Sequence, residues 1–131
     1  MVIDTSALLA ILANEPEERH FSRMMVLTPP ALVSAATYLE ARIVAEARWG
    51  RAGVRDLKQL MGTASISIVP FDAEQAEVAA DAYAKYGKGK HRAGLNFGDC
   101  FAYALAKRTG DSLLFKGDDF TATDVVSATH G

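Results

Sequence analysis

Acidic side chains follow two apolar runs of the sequence that are predicted to be strands. Asp4 comes directly after Met1–Ile3, and Asp118 and Asp119 come shortly after Leu113–Phe115. Because ligands bind at the carboxyl ends of the strands in open parallel sheets, these acids are expected to lie on one rim. Aspartate is also common in helix caps and turns, so each of these acids taken alone is a weak indication of a site.

Two further acids occupy positions on predicted helices that a solvated surface does not explain. Helical spacing places Glu40 on an otherwise apolar stripe, formed by Ala36, Ile43, Val44 and Ala47. A carboxylate on such a stripe is costly when it is buried, unless a buried arginine, a cation or water reaches it. Asp99 begins an almost wholly apolar helix behind Asn96. The helix dipole explains an acid at this end, but it does not explain a charge on a helix that is buried all round.

Carboxylates that gather on one rim without neighbouring cations repel one another. A hard divalent cation with oxygen ligands removes that repulsion, and Mg²⁺ and Mn²⁺ are the ions that fit. Such sites typically serve phosphoryl chemistry, in which the ion activates water and neutralises developing charge. The four acidic segments together therefore predict a Mg²⁺ or Mn²⁺ site.

The elements that must position these acids alternate between strands and helices. Strands are predicted at Met1–Ile3, Ile66–Val69 and Ser112–Lys116, and Val125-Val126 is a candidate for a last short strand. Helices are predicted over Ala7–Ala13, from Glu15 to the break at Thr28-Pro29-Pro30, from Ser34 to Gly50, over Gly53–Met61 and Asp72–Tyr86, and from Asn96 to Gly110. This alternation predicts an α/β fold in which a short parallel β-sheet is flanked by helices on both faces.

Length and composition agree with one domain over residues 1–131. A chain of 131 residues, half of them hydrophobic, supports a core without disulfides or structural metals. The lone Cys100 excludes an internal disulfide and a zinc site built on several thiolates. No apolar run approaches the ~20 residues of a membrane span, and the N-terminus shows no signal-peptide pattern. We therefore expect a cytoplasmic protein with no membrane partner.

The segments that contain the acids resemble, in order, the four motifs of PIN-domain ribonucleases. They are Met1-Val2-Ile3-Asp4-Thr5-Ser6-Ala7-Leu8, Tyr38-Leu39-Glu40, Gly94-Leu95-Asn96-Phe97-Gly98-Asp99-Cys100 and Leu113-Leu114-Phe115-Lys116-Gly117-Asp118-Asp119-Phe120. The length of the chain and the last two motifs are similar to those of VapC toxins from bacterial toxin–antitoxin pairs. The resemblance implies a single PIN-like domain.

The resemblance also implies roles for individual residues. Asp4, Glu40 and Asp99 fall on the metal-site acids of the family, and Ser6 falls on the small polar residue beside the first acid. For the fourth acid we choose Asp119, which precedes Phe120 as in the family, with Asp118 as the substitute. Many relatives have an acid where this chain has Gly117.

The activity that this resemblance implies is that of a Mg²⁺-dependent endoribonuclease, with Mn²⁺ as a possible substitute ion, that acts as a toxin. It implies cleavage of RNA phosphodiesters by metal-activated water to leave a 5′-phosphate. The implied partners are an RNA substrate, a VapB-type antitoxin and a second copy of the chain in a homodimer. The sequence specifies neither the RNA nor the cleavage site.

Basic residues are concentrated in the segment Ala82–Gly98, which we call the basic arm. It contains no acid and four basic residues, Lys85, Lys88, Lys90 and Arg92, although the net charge of the whole chain is −2. An ordinary solvated loop is one interpretation. The other is a surface that binds phosphates beside an acidic site, as in enzymes that cut nucleic acids. We predict that Lys88, Lys90 and Arg92 contact RNA phosphates, and that His91 contacts a phosphate rather than acting as a general acid.

Two other functions compete with the ribonuclease. A haloacid-dehalogenase-like phosphatase would use Asp4 as nucleophile and Lys116 as charge stabiliser, with Asp118 and Asp119 on Mg²⁺. That mechanism requires a second aspartate where this chain has Ser6, and it leaves Glu40 without a role. A non-catalytic binding module with the same fold is the third hypothesis, and it predicts no affinity for metal.

Overall fold

A sheet of four parallel strands forms the centre of the structure, a computed structural model that describes residues 1–129. The strands stand in the order β3-β2-β1-β4. They are β1 (Val2–Ile3), β2 (Ala31–Ser34), β3 (Ile66–Val69) and β4 (Leu113–Leu114). Strand β1 is central, since Val2 pairs with Leu32 on one side and with Leu113 on the other. Its carboxyl end therefore lies in the middle of the rim where ligands bind in such sheets.

Helices cover both faces of the sheet, as the alternation in the sequence predicts. They are α1 (Thr5–Leu12), α2 (Glu18–Leu27), α3 (Ala35–Thr63), α4 (Ala73–Tyr86) and α5 (Phe97–Thr109). Successive strand residues point to opposite faces. Val2 and Leu113 accordingly belong to the core cluster under α4 and α5, whereas Ile3 and Leu114 belong to the cluster under α1, α2 and α3.

Helices α1, α3 and α5 each begin at a residue whose side chain caps the helix N-terminus. Asp4 caps α1, Ser34 caps α3, and Asn96 caps α5 by accepting a hydrogen bond from a backbone N–H of the first turn. Gly110, with φ +73°, ends α5 in the left-handed conformation that glycine adopts without strain. These residues confirm the predicted start of the third helix at Ser34 and both predicted ends of the last helix. They also attach two of the predicted site acids, Asp4 and Asp99, to helix N-termini.

The structure differs from the sequence prediction at strand β2 and in the middle of α3. Strand β2 was not predicted, because Ala31–Val33 is a very short apolar run behind two prolines, and pairing on both edges stabilises it. The two helices predicted on either side of Gly50 are the two halves of α3, joined at a kink where Gly50 has φ +65° and ψ −150°.

The predicted last strand is reduced to one bridge, between Leu113 and Ser127, beside a hydrogen bond from Leu113 N–H to the Val126 carbonyl. Strand β4 itself is shorter than the predicted Ser112–Lys116. Within residues 1–129, no helix combines the length and apolarity that a membrane crossing requires.

Candidate active site

Asp4 lies at the carboxyl end of β1, where the sequence predicts it, and it is only 4% exposed. Its Oδ2 accepts hydrogen bonds from the Ser6 backbone N–H at 3.0 Å and from the Ser6 hydroxyl at 2.6 Å. The Ser6 Oγ in turn accepts from the Lys116 backbone N–H at 3.0 Å. Because Lys116 N–H donates to this oxygen, the hydroxyl proton of Ser6 is directed at Asp4. Ser6 thus connects the ends of β1 and β4 and fixes one oxygen of Asp4.

Asp99 lies in the first turn of α5 and is 8% exposed. Its Oδ2 accepts from the Asn96 backbone N–H at 3.0 Å, and its own N–H donates to Asn96 Oδ1 at 2.9 Å. This reciprocal arrangement is a capping box, which fixes the carboxylate at the helix N-terminus. The helix-end role considered from the sequence is therefore present, and it occupies one of the two carboxylate oxygens. The helix behind Asp99 is buried along most of its length, as predicted.

The buried stripe predicted for Glu40 is wrong. The face of α3 that packs inward carries Thr37, Ala41 and Ala45, whereas Ile43 on the predicted stripe is 59% exposed. Alanines occur on both sides of this helix, so the apolar periodicity does not distinguish its two faces. Glu40 is consequently half-buried. Its Oε1 accepts a hydrogen bond from the Thr5 hydroxyl at 2.6 Å.

Burial and mutual repulsion raise the pKa values of the two most enclosed acids. The pKa of Asp4 rises to about 7, chiefly because burial disfavours the charged form; the Ser6 hydrogen bonds oppose this, and the charges of Asp99 and Glu40 add to it. The pKa of Asp99 rises to about 6, again mainly through burial, with contributions from Asp119 and Glu40 against the hydrogen bond from Asn96. Asp4, Glu40 and Asp99 are therefore close enough to repel one another, and Asp119 is close enough to repel Asp99.

No basic side chain among residues 1–129 forms an ion pair with Asp4, Glu40, Asp99 or Asp119. Asp4, Glu40 and Asp99 share a further feature: one oxygen accepts a hydrogen bond, and no donor from the described residues reaches the other. Uncompensated carboxylate oxygens are the donors that Mg²⁺ and Mn²⁺ prefer. The donor set therefore fits such an ion, although in the described chain no three metal-ligating side chains stand close enough to share one.

The two candidates for the fourth acid lie in the loop after β4, where Gly117 has φ +95°. Both are exposed. Of the two, only Asp119 contributes to the raised pKa of Asp99. Asp118 instead lines a shallow cavity of about 370 Å³ together with Arg92. The loop thus brings Asp119 towards the other acids and Asp118 towards the basic arm, and their roles stay predictions.

The basic arm presents its predicted phosphate-binding residues to solvent. Lys88, Lys90 and Arg92 are exposed, on a loop closed by backbone hydrogen bonds between the ends Tyr86–Lys88 and Leu95. The Lys90 ammonium lies over the ring of Tyr83, 5.3 Å from its centroid.

His91 is part of the internal structure of this loop. Its Nδ1 accepts from the Ala93 N–H at 3.0 Å, and its ring packs edge-to-face on Tyr86 with the centroids 5.1 Å apart. Only Nε2 remains for the predicted phosphate contact.

Two neighbours of Glu40, namely Thr5 and Gly98, and an exposed apolar surface were not predicted from the sequence. Nothing in the sequence distinguishes Thr5 from an ordinary residue of a helix start, or Gly98 from an ordinary loop glycine. The apolar surface surrounds Phe97, which is 78% exposed at the start of α5 and packs edge-to-face on Phe101. Leu39 and Ile43 on α3 are exposed as well and line a groove beside Glu40 of about 290 Å³.

Comparison with known proteins identifies the family. The PIN domain profile matches residues 1–126. A ribonuclease VapC from Mycolicibacterium smegmatis is 52% identical over 130 residues, which cover 99% of this chain and 100% of that protein. Ribonuclease VapC30 from Mycobacterium tuberculosis is 50% identical over 127 residues, 97% of each chain. The chain belongs to the PIN-domain family, in the group of the VapC ribonucleases.

Solved structures show the same fold. The crystal structure of Mycobacterium tuberculosis VapC20, described as a sarcin-ricin loop cleaving toxin, has a TM-score of 0.76 at 17% identity and covers 95% of both chains. A toxin–antitoxin complex from Klebsiella pneumoniae has a TM-score of 0.70 at 18% identity, covering 97% of this chain and 96% of that one. The prediction of a PIN-like α/β fold is therefore confirmed.

The phosphatase alternative finds no support. The family of the chain is that of PIN domains, and the ammonium group that the phosphatase would need is engaged elsewhere. Lys116 forms ion pairs with Glu15 and with Glu17 in the α1–α2 connection.

Proposed function

We propose that the protein is an endoribonuclease that depends on Mg²⁺ or Mn²⁺ and acts as the toxin of a toxin–antitoxin pair. The observation that carries this proposal is the group of mutually repelling carboxylates at one rim of the sheet, with no basic side chain from the described residues paired to it. The names of the curated relatives support the nuclease activity. Asp4, Glu40, Asp99 and Asp119 are the proposed metal and catalytic residues.

The residues of the chain would hold the reacting groups in place. When bound, a divalent cation supplies charge neutralisation and lowers the pKa of a water that attacks the RNA phosphodiester. Ser6 fixes one oxygen of Asp4 and Asn96 fixes one oxygen of Asp99. The second oxygen of each carboxylate is thereby left for the cation. Preorganised ligands of this kind save the reorganisation that flexible carboxylates would require.

The basic arm would bind the RNA backbone next to this rim. Lys88, Lys90 and Arg92 are exposed and can approach phosphates without losing an ion pair to the described residues. Arg92 borders the cavity that Asp118 lines, so this end of the arm reaches the loop of the fourth motif. Such contacts supply affinity and orientation but carry no base specificity.

The proposed partners are a VapB-type antitoxin and a second copy of the chain. The name of the Klebsiella pneumoniae complex supports an antitoxin for proteins of this fold. A cavity of about 530 Å³ between α4 and α5, lined by apolar side chains including Phe71, Tyr83, Phe97 and Phe101, supports an interface. An RNA-cutting toxin with a single unpaired cysteine is expected to act in the cytoplasm.

The Asp99→Asn variant tests the function. The asparagine side chain is nearly isosteric and keeps an oxygen for the capping box, so the fold should survive while a ligand charge is lost. Purified wild-type protein should cleave total RNA with Mg²⁺ and stop when EDTA is added, and mapping of the new 5′ ends should identify the target. The variant should be inactive and no longer arrest growth.

The stability of the same pair provides an independent check. Mg²⁺ should raise the melting temperature of the wild type by mass action on the folded state, and that of the variant much less. A folded Asp99→Asn protein that cleaves RNA at the wild-type rate and responds equally to Mg²⁺ would contradict the proposal. Asp99 would then serve only to cap α5.

A further inference from the structure

The Glu40 carboxylate is held by two elements other than its own helix. Its helical neighbours Leu39 and Ile43 are exposed, so packing along α3 does not fix a glutamate side chain with three rotatable bonds. Its carboxylate accepts a hydrogen bond from Thr5 in α1 and lies against Gly98 in α5, where a Cβ atom would collide with it. Each of these residues adjoins a proposed metal ligand, since Thr5 follows Asp4 and Gly98 precedes Asp99.

Thr5 contributes a short hydrogen bond. Its hydroxyl lies 2.6 Å from Glu40 Oε1 and 3.5 Å from the Thr37 carbonyl, so the single proton is directed at the carboxylate. Thr5 itself is buried, and its β-branched side chain has few accessible rotamers. The donor is therefore presented in a fixed position, and Glu40 Oε1 is fixed with it.

Gly98 contributes space beside the same carboxylate. A Cβ atom at this position would lie 2.5 Å from Glu40 Oε2 and 2.9 Å from Oε1. Both distances are shorter than any real contact of such an atom, so a side chain here would displace the carboxylate. Gly98 is not among the glycines with positive φ. Its glycine identity is thus required by the approach of Glu40 to α5 and not by the backbone conformation.

We infer that Thr5 and Gly98 are positioning residues, which together hold the Glu40 carboxylate between Asp4 and Asp99 for the cation. The inference rests on the proposed metal-dependent function and deepens it. Thr5 fixes Oε1 by a hydrogen bond, Gly98 lets the carboxylate lie against the first turn of α5, and Oε2 is left for the metal. Outer partners of this kind typically change metal affinity by about 10–100-fold when they are altered.

Mn²⁺ binding by calorimetry on the full chain tests the inference without relying on activity. Thr5→Val removes the donor and keeps the shape of the side chain, and it should weaken Mn²⁺ binding by about tenfold or more. Thr5→Ser restores the hydroxyl and should recover most of the affinity. Gly98→Ala should weaken binding similarly, while the matched helical substitution Gly62→Ala, where a Cβ meets no atom within 4 Å, should leave it unchanged.

A double-mutant cycle distinguishes positioning from a general structural effect. If Thr5 and Gly98 act through Glu40, then Thr5→Val and Gly98→Ala should have no further effect on Mn²⁺ affinity in a Glu40→Ala background. Equal losses with and without Glu40, or wild-type affinity in both single variants, would overturn the inference and leave the proposed function intact. Failure of the wild-type protein to bind Mn²⁺ at all would overturn both. Thermal unfolding of every variant verifies that it is folded.

Discussion

Individual carboxylates of the rim combine an observed structural role with a proposed chemical one. One oxygen of Asp4 caps α1, and one oxygen of Asp99 completes the capping box that Asn96 begins at α5, which explains why aspartates at these positions are tolerated in a buried setting. The same hydrogen bonds fix that oxygen and leave the other without a donor from the described residues. An aspartate that the sequence presents as an ordinary capping residue can therefore also be a proposed metal ligand. The hydrogen bonds of the cap fix the position of its carboxylate.

The fourth acid of the site is predicted to be Asp119. Its charge reaches Asp99, whereas Asp118 lies beside Arg92 at another cavity. Asp119→Asn should therefore reduce kcat/KM for RNA cleavage by at least roughly tenfold more than Asp118→Asn, as expected for loss of a metal ligand. Cleavage rates of the two variants at one fixed Mg²⁺ concentration, too low to saturate the site, measure this difference. Equal losses would mean that both acids act, and the reverse order would show that the fourth motif is shifted by one residue.

At the scale of elements, the kink of α3 depends on one glycine. Gly50 has φ +65° and ψ −150°, a conformation that is essentially confined to glycine, although a Cβ there would meet no atom within 4 Å. Gly50→Ala should thus lower the free energy of unfolding by roughly 1–3 kcal/mol through backbone strain alone. Gly62→Ala in the same helix should raise it by roughly 0.5–1 kcal/mol, because alanine is the better helix former. Urea unfolding of both variants checks the opposite signs.

The contribution of the basic arm to RNA binding can be measured separately from cleavage. In an inactive Asp99→Asn background, replacing Lys88, Lys90 and Arg92 by alanine should weaken RNA binding equally for different sequences. The slope of log affinity against log salt should fall by about one for each lost phosphate contact. The control replaces three exposed basic residues in the second half of α3, Arg51, Arg55 and Lys58. If affinity and slope match between the two triple variants, the arm is an ordinary loop.

At the scale of the whole molecule, charge is separated between the rim and the rest of the surface. The chain has 16 acidic and 14 basic residues, and four of the acids belong to the proposed site, so 12 acids remain outside it. The net charge of −2 therefore conceals an acidic rim on a slightly basic body. Such a distribution suits the proposed polyanionic substrate, whose backbone the slightly basic body would attract.

The raised pKa values predict how the stability of the metal-free protein depends on pH. Asp4 and Asp99 titrate near 7 and 6 in the folded state but near 3.8 when unfolded, so the folded state binds more protons between these values. Unfolding free energy should consequently fall as pH rises from about 4 to about 7, by at most about 1.4 kcal/mol per pH unit for each carboxylate.

Urea unfolding in EDTA at about pH 5 and about pH 8 measures this loss. Asp4→Asn should flatten the dependence, and added Mg²⁺ should stabilise the wild type more at the higher pH, where the ligands are ionised. A metal-free wild type that is equally stable at both pH values would show that burial and repulsion do not raise the pKa values of these acids.

Local information in the sequence determined most of the fold and the choice of the proposed site acids. Helix caps, helix-ending glycines and apolar runs are signals that extend over only a few residues. The positions of β1, β3, α4 and α5 could therefore be predicted from the sequence. The four motifs likewise contain the acids within short segments of their own. Asp4 and Asp99 are found at a strand end and a helix start because those features are encoded next to them.

Only the tertiary structure decided which segments far apart in the chain pack against each other and which side chains meet there. Strand β2 exists because β1 and β3 pair with its two edges, and the face of α3 that turns inward is selected by packing among alanines that the sequence does not distinguish. The contacts of Glu40 with Thr5 and Gly98 join residues 35 and 58 positions away from it. Such contacts depend on the distances between elements after packing, and no local pattern of residue types encodes those distances.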